Sequence, residues 1–145
     1  MRFVAQRVTY ATLKVDEKPV SEIGCGLVVF FGVRVGDTEA QAEKCAQKIA
    51  GLRVFEDGEG KMNRSVKDVN GEVLFVSQFT LYGDAKKGNR PSFTEAEKPN
   101  RANELYEYAS RCLQEAGVCV KMGVFGADMQ ITQQNDGPVT ILYEI

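Results

Sequence analysis

Histidine is absent from all 145 residues, and its absence removes a large block of chemistry. Without it there is no Ser-His-Asp or Cys-His activation of a nucleophile, and the commonest general base near neutral pH is missing. Most zinc sites, including H-E-x-x-H, are lost as well. An enzyme with this composition must work with carboxylates, lysines, backbone dipoles or groups of its own substrate. Tryptophan is also absent and proline occurs only four times. The four cysteines, Cys25, Cys45, Cys112 and Cys119, show no C-x-x-C spacing, and each lies in an apolar stretch, so all four are expected to be buried free thiols. No apolar run approaches the ~20 residues that a membrane-spanning helix needs. The alternating N-terminus does not resemble a signal peptide, and a cytoplasmic location with no membrane partner is the expectation. A net charge of −2 argues against non-specific coating of nucleic acid, while leaving room for a local basic patch.

What is present reads as a single domain over residues 1–145. Residues 2–15 alternate apolar and polar and suit one long or two short strands ending at a turn over Asp16–Pro19. Arg2 and Arg7 sit on this strand, where a basic residue is ordinarily a solvated edge charge. Gly26–Val35 is a second apolar run and a central strand. Thr38 and Gln41 have capping-box spacing at the start of a helix whose apolar face is Ala42, Cys45, Ala46, Ile49 and Leu52. A second helix is expected over about 101–116, with Asn100 as N-cap, Gly117 just beyond its end and an i,i+4 pair between Glu107 and Arg111. The tail alternates again, in three short strands, with a turn at Asn135-Asp136-Gly137-Pro138 between the last two. Strands, helix, strands, helix, strands describe an α+β domain: largely antiparallel, barrel-like sheets with two helices packed on one side.

The chain is organised around Glu72–Asp84. Val73, Leu74, Phe75 and Val76 suit a strand buried on both faces. Beyond them Ser77, Gln78 and Thr80 alternate with Phe79, Leu81 and Tyr82. Polar groups at the end of a buried strand are either hydrogen-bonded or used, because an unpaired one costs about 1–3 kcal/mol. On the residues alone, tying neighbouring strands together is the ordinary reading and serving a site is the alternative. The loop that follows carries Lys86, Lys87 and Arg90, which is either a solvated charge run or a phosphate-facing element.

Ser77-Gln78-Phe79-Thr80-Leu81-Tyr82, together with Asn135-Asp136-Gly137-Pro138-Val139-Thr140, resembles the paired signature of the D-aminoacyl-tRNA deacylases. The resemblance continues through Met1–Val8, Phe55–Asp57, Gly60–Asn63, Lys87–Phe93 and Phe125–Met129 in the same order, with no departure at a motif position. It implies the deacylase fold and hydrolysis of the ester joining a D-amino acid, or mischarged glycine, to the 3′-terminal adenosine of tRNA. L-aminoacyl-tRNA would be spared. It further implies no cofactor or metal, and a homodimer with its sites at the interface. In that arrangement Gly137-Pro138 of one subunit, held cis, filters chirality in the other. The catalytic stretch carried over is Ser77, Gln78, Phe79 and Thr80, acting through main-chain groups, with Thr80 positioning and not attacking. Phe125 and Met129 would wall the adenosine pocket, Arg7 would brace the Gly-Pro loop through its carbonyls, and Lys86, Lys87 and Arg90 would meet the tRNA backbone. Two rival readings are a catalytically inactive tRNA- or nucleic-acid-binding relative and a metal-dependent hydrolase using Asp57, Asp84, Asp128 or Asp136.

Overall fold

A computed structural model describes residues Met1–Ile145. The elements run β1 (Arg2–Val15), β2 (Lys18–Ile23), β3 (Gly26–Gly32), α1 (Glu39–Gly51), β4 (Phe55–Glu56), β5 (Met62–Arg64), β6 (Glu72–Ser77), a 3₁₀ turn (Phe79–Tyr82), α2 (Pro99–Glu115), β7 (Cys119–Met122) and β8 (Gln130–Glu144). The main sheet has the order β2-β1-β3-β6-β7, and β8 pairs with β1 on its other side. All pairings of β1 are antiparallel, whereas β3–β6 and β6–β7 are parallel. The Ser21 hydroxyl donates to the Met122 carbonyl at 2.6 Å, drawing β2 toward β7 so that the sheet curls almost into a barrel. The expected α+β architecture holds, with a mixed sheet at its centre.

Alternation along the strands builds two cores. Phe3, Ala5, Val29, Phe31, Val73 and Phe75 face α1 and α2, which pack on each other and on this side of the sheet. Val8, Leu13, Ile23, Val28, Leu74 and Val76 face the inside of the curl, where Met129 and Ile131 close over them. β6 contributes to both, which is why its apolar run is nearly unbroken. Tyr106 of α2 stacks on Phe75 and donates its buried hydroxyl to the Phe75 carbonyl at 2.6 Å.

Several local expectations are corrected. The segment Asn135–Pro138 does not reverse the chain: β8 continues along β1 beyond it, while the register jumps from Val8–Asn135 to Gln6–Thr140 and shifts again between Val8 and Tyr10. A long partner strand absorbs the irregularity as a bulge. α2 starts at Pro99 with Lys98 as N-cap, so Asn100 lies inside the helix; a proline at the first helical position is pre-set for that start. Glu107 accepts from Asn103 at 3.0 Å and Arg111 stacks on Tyr108, so the expected Glu107–Arg111 pair does not form. Of the four free cysteines only Cys45 is buried. Cys25 sits at the exposed turn before β3, and Cys119 points outward from an edge strand. The Thr38 amide does donate to Gln41 Oε1 at 2.8 Å, as the capping spacing requires.

Candidate active site

β6 ends at Ser77 because the chain leaves the sheet there. The Gln78 amide donates to the Phe31 carbonyl at 2.8 Å, and Phe79–Tyr82 then wind into a single 3₁₀ turn closed by Leu81 N–H to Gln78 O at 3.3 Å. What the sequence presented as a polar–apolar alternation is therefore a strand end followed by a turn. The Gln78 side-chain amide donates to the Thr80 hydroxyl. Phe79, 55% exposed, packs edge-on against Phe93 at 5.2 Å between ring centroids.

This turn stands at the mouth of a cavity of about 650 Å³, within the ~300–1,000 Å³ usual for small-molecule sites. Ser77, Gln78 and Phe79 form one part of its lining, and Phe125 and Met129 form another, largely apolar one. Five of the residues named from sequence are thus brought together. Thr80 is exposed beside them, tied to Gln78 but outside the lining. Lys86, Lys87 and Arg90 lie on the exposed loop beyond the turn; Phe93, at the end of that loop, reaches the cavity while the three cations do not.

Sequence reasoning missed the third wall, the segment Ala96–Pro99 with Ala102. This wall is pinned to the end of β3: Val35 N–H donates to Glu95 O and Glu97 N–H to Val33 O, each at 3.0 Å. Beneath it Asp37 is buried, holding the Arg34 amide at 2.7 Å and the Met1 ammonium at 2.8 Å. Pro99, a helix-start signal, was the one legible clue to this wall. Glu97, Lys98 and Asp128 place two acidic residues and one basic residue in the lining.

Gly137 and Pro138 are exposed, joined by a cis peptide bond, and absent from the lining of this cavity. Arg7 is not the solvated edge charge that strand position suggested. It is 6% exposed, and its guanidinium donates to the Val54 carbonyl at 2.7 Å and to the Asp136 carbonyl at 3.2 Å. The carboxylates of the metal reading are dispersed: Asp57 accepts from Glu59 N–H, Lys61 N–H and Asn63, Asp84 from Lys86 N–H, and Asp136 pairs with Arg7.

A family model described as D-Tyr-tRNA(Tyr) deacylase matches residues 4–144. The chain belongs to that family. It is 57% identical over 144 residues to the D-aminoacyl-tRNA deacylase of Desulfitobacterium hafniense (strain DSM 10664 / DCB-2), covering 99% of this chain and 97% of that one. It is 53% identical over 145 residues to the D-aminoacyl-tRNA deacylase of Carboxydothermus hydrogenoformans, with both chains covered completely. Among solved structures, the c-Myc DNA Unwinding Element Binding Protein superposes with a TM-score of 0.93 at 42% identity over 100% of this chain and 99% of that one. A probable eukaryotic D-amino acid tRNA deacylase superposes with a TM-score of 0.86 at 19% identity, covering 99% of this chain and 98% of that one, a likeness of fold alone. Of the segments that carry the resemblance, Ser77–Phe79, Phe93 and Phe125–Met129 line the cavity, whereas Asn135–Thr140 does not.

Proposed function

We propose that the protein hydrolyses the ester of D-aminoacyl-tRNA, and of glycine mischarged on tRNA, releasing the free amino acid. The observation that carries this reading is the convergence of Ser77–Phe79 with Phe125 and Met129 on one cavity, in a chain of the D-Tyr-tRNA(Tyr) deacylase family. The terminal adenosine packs against Phe125 and Met129, and the ester lies toward the 3₁₀ turn. The first N–H groups of such a turn have no partner within it, so those of Phe79 and Thr80 are available to the oxyanion that forms when water attacks the carbonyl carbon. The bond to the 3′-oxygen then breaks and that oxygen takes a proton. An aminoacyl ester is reactive enough for orientation and oxyanion stabilisation to suffice, with the adenosine 2′-hydroxyl helping to activate water. Thr80, held by Gln78, positions and does not attack, because no adjacent base is bonded to it.

The chirality filter is assigned to Gly137-Pro138 of a second subunit. Both residues are exposed and outside the cavity of their own chain, so a part in selection requires another copy. β8 offers it a surface: the strand has 15 residues, pairs only with β1, and leaves Leu142 64% exposed. Rigid backbone at the α-carbon admits hydrogen or a D-side chain and collides with an L-side chain. Lys86, Lys87 and Arg90 approach the tRNA backbone, and the enzyme acts in the cytoplasm.

A second reading follows from the 42%-identical structure, whose description names DNA binding: nucleic-acid binding without turnover. One experiment separates the two. A single tRNA charged in parallel with D- and L-tyrosine is incubated with the protein and a chelator. Selective loss of the D-ester supports the hydrolase, the filter and metal independence together. Binding with loss of neither ester favours the second reading, and loss of both removes the filter.

A further inference from the structure

The segment that this reading places at the reacting ester is one turn long, and a single 3₁₀ turn has little stability of its own. Its orientation must come from what it rests on. The Gln78 amide is tied to Phe31, and beneath the turn lies Gly32. A Cβ on Gly32 would come within 3.0 Å of the Gln78 carbonyl oxygen and 3.2 Å of Leu81 Cβ, so the turn sits directly on the sheet without slack. The residue paired with Gly32 across the sheet is Arg2.

Arg2 was expected to be a solvated edge charge, but its side chain is only 28% exposed and three contacts hold it. Nη1 donates to the Leu81 carbonyl at 2.6 Å. Nη2 donates to both carboxylate oxygens of Glu144 at 2.9 Å. The guanidinium lies 4.9 Å from the centre of the Tyr82 ring. Nε is buried with no partner. Leaving that donor unpaired is unfavourable, so the head group is oriented for Leu81, Glu144 and Tyr82 together at the expense of its own remaining N–H. A planar fork can do this and a single ammonium cannot.

We propose that Arg2 is a positioning residue for the reaction: anchored on Glu144, it grips Leu81 and Tyr82 and thereby fixes the direction of the Phe79 and Thr80 N–H groups. This rests on the hydrolase reading above. Because misplacing a reacting group by about 1 Å can cost on the order of 100-fold in rate, loss of the grip acts on the chemical step and not on binding.

The test uses the full chain with Arg2→Met, Arg2→Lys and Glu144→Gln. Each variant is assayed for kcat and KM on D-tyrosyl-tRNA, and for affinity to a non-hydrolysable amide analogue of 3′-D-tyrosyl-adenosine. Arg2→Met is expected to lower kcat by about 30-fold or more, with KM and analogue affinity within about threefold of wild type. Arg2→Lys recovers only a small part of that loss, and Glu144→Gln falls between wild type and Arg2→Met. Retention of kcat within about threefold in folded Arg2→Met overturns the inference. So does a loss of kcat that merely follows the folded fraction measured by melting. Should Arg2→Met not fold, wild-type kcat in both Arg2→Lys and Glu144→Gln overturns it equally. A wild-type protein that spares D-tyrosyl-tRNA removes the hydrolase reading itself, and this inference with it. That outcome is seen before any variant is made.

Discussion

The guanidinium of Arg7 lies against Asp136, with Nε 3.1 Å from its carboxylate and 3.2 Å from its carbonyl, immediately before Gly137. The same head group reaches across to Val54. The Gly137 backbone is therefore held from beneath: a Cβ on Gly137 would come within 3.2 Å of Arg7 Nη2. Arg7→Met keeps the buried stem and removes these bonds, and charge-assisted hydrogen bonds contribute about 1.5–3 kcal/mol each. The half-exposed Asp136 regains water, which offsets part of that, so a loss of about 2–3 kcal/mol is expected in a urea titration. Arg7→Lys should recover little of it, because one ammonium cannot span both sites. On the proposed filter, the surviving protein should also hydrolyse L-tyrosyl-tRNA more readily.

Thr80→Ala separates positioning from attack. Removing the hydroxyl breaks its bond with Gln78 but leaves the main-chain N–H in place. A reduction of about tenfold or less in kcat is expected if that N–H carries the effect. Near-complete loss in a folded protein that still binds tRNA would identify a covalent nucleophile instead.

Lys86, Lys87 and Arg90 are exposed on the loop beyond the turn and clear of the cavity. Replacing all three with alanine should raise KM for D-tyrosyl-tRNA and flatten its dependence on salt by up to about three phosphate contacts. D-tyrosyl-adenosine, which has no tRNA body, should be hydrolysed at the wild-type rate. Equal losses on both substrates would place the loop in the chemistry.

Thiol labelling should be ordered by burial. Burial pushes the Cys45 thiol up to about 11, and desolvation with the neighbouring Glu72 raises that of Cys119. At pH 8 Cys25 should be alkylated first, Cys119 and Cys112 more slowly, and Cys45 only on unfolding. Mass spectrometry of timed aliquots gives the order directly.

Acid should loosen the loops before the core. The Asn63 side-chain amide and the Lys61 and Glu59 N–H groups hold the Asp57 carboxyl below its ordinary 3.8, and bonds from Ser65 do the same for Asp68. A folded-state pKa below the unfolded value contributes stability that is present above the unfolded value and is lost as pH falls through the folded one. Melting temperature should therefore drop as pH falls below about 4, and by less in Asp57→Asn. A fall already under way at pH 6 would need another cause.

Much of this was legible in order along the chain. The alternation of residues 2–15, the unbroken Val73–Val76 run and the helical spacing of Ala42–Ile49 each follow from one short-range rule, that apolar atoms face the core at the period of their element. The signature segments pointed to a family because they are contiguous in sequence. The features that no local pattern gives depend on what lies across the fold. Arg2 and Arg7 look alike on one strand, and nothing local tells that Leu81 and Glu144 meet the first while Val54 and Asp136 meet the second. Asn135–Pro138 has turn composition, yet β8 stays paired with the long β1 on both sides of it, because ladder bonds flanking a bulge outweigh the local preference to reverse. Sequence by itself determined most of the helices and strands, the absence of histidine chemistry and the candidate stretch Ser77–Thr80. Only the tertiary structure decided that this stretch is a turn, that the start of α2 completes a cavity with it, that Arg2 reaches the Leu81 carbonyl of the turn, and that Arg7 is buried against Val54 and Asp136. Those outcomes depend on contacts between residues far apart in the chain, and no local pattern encodes such distances.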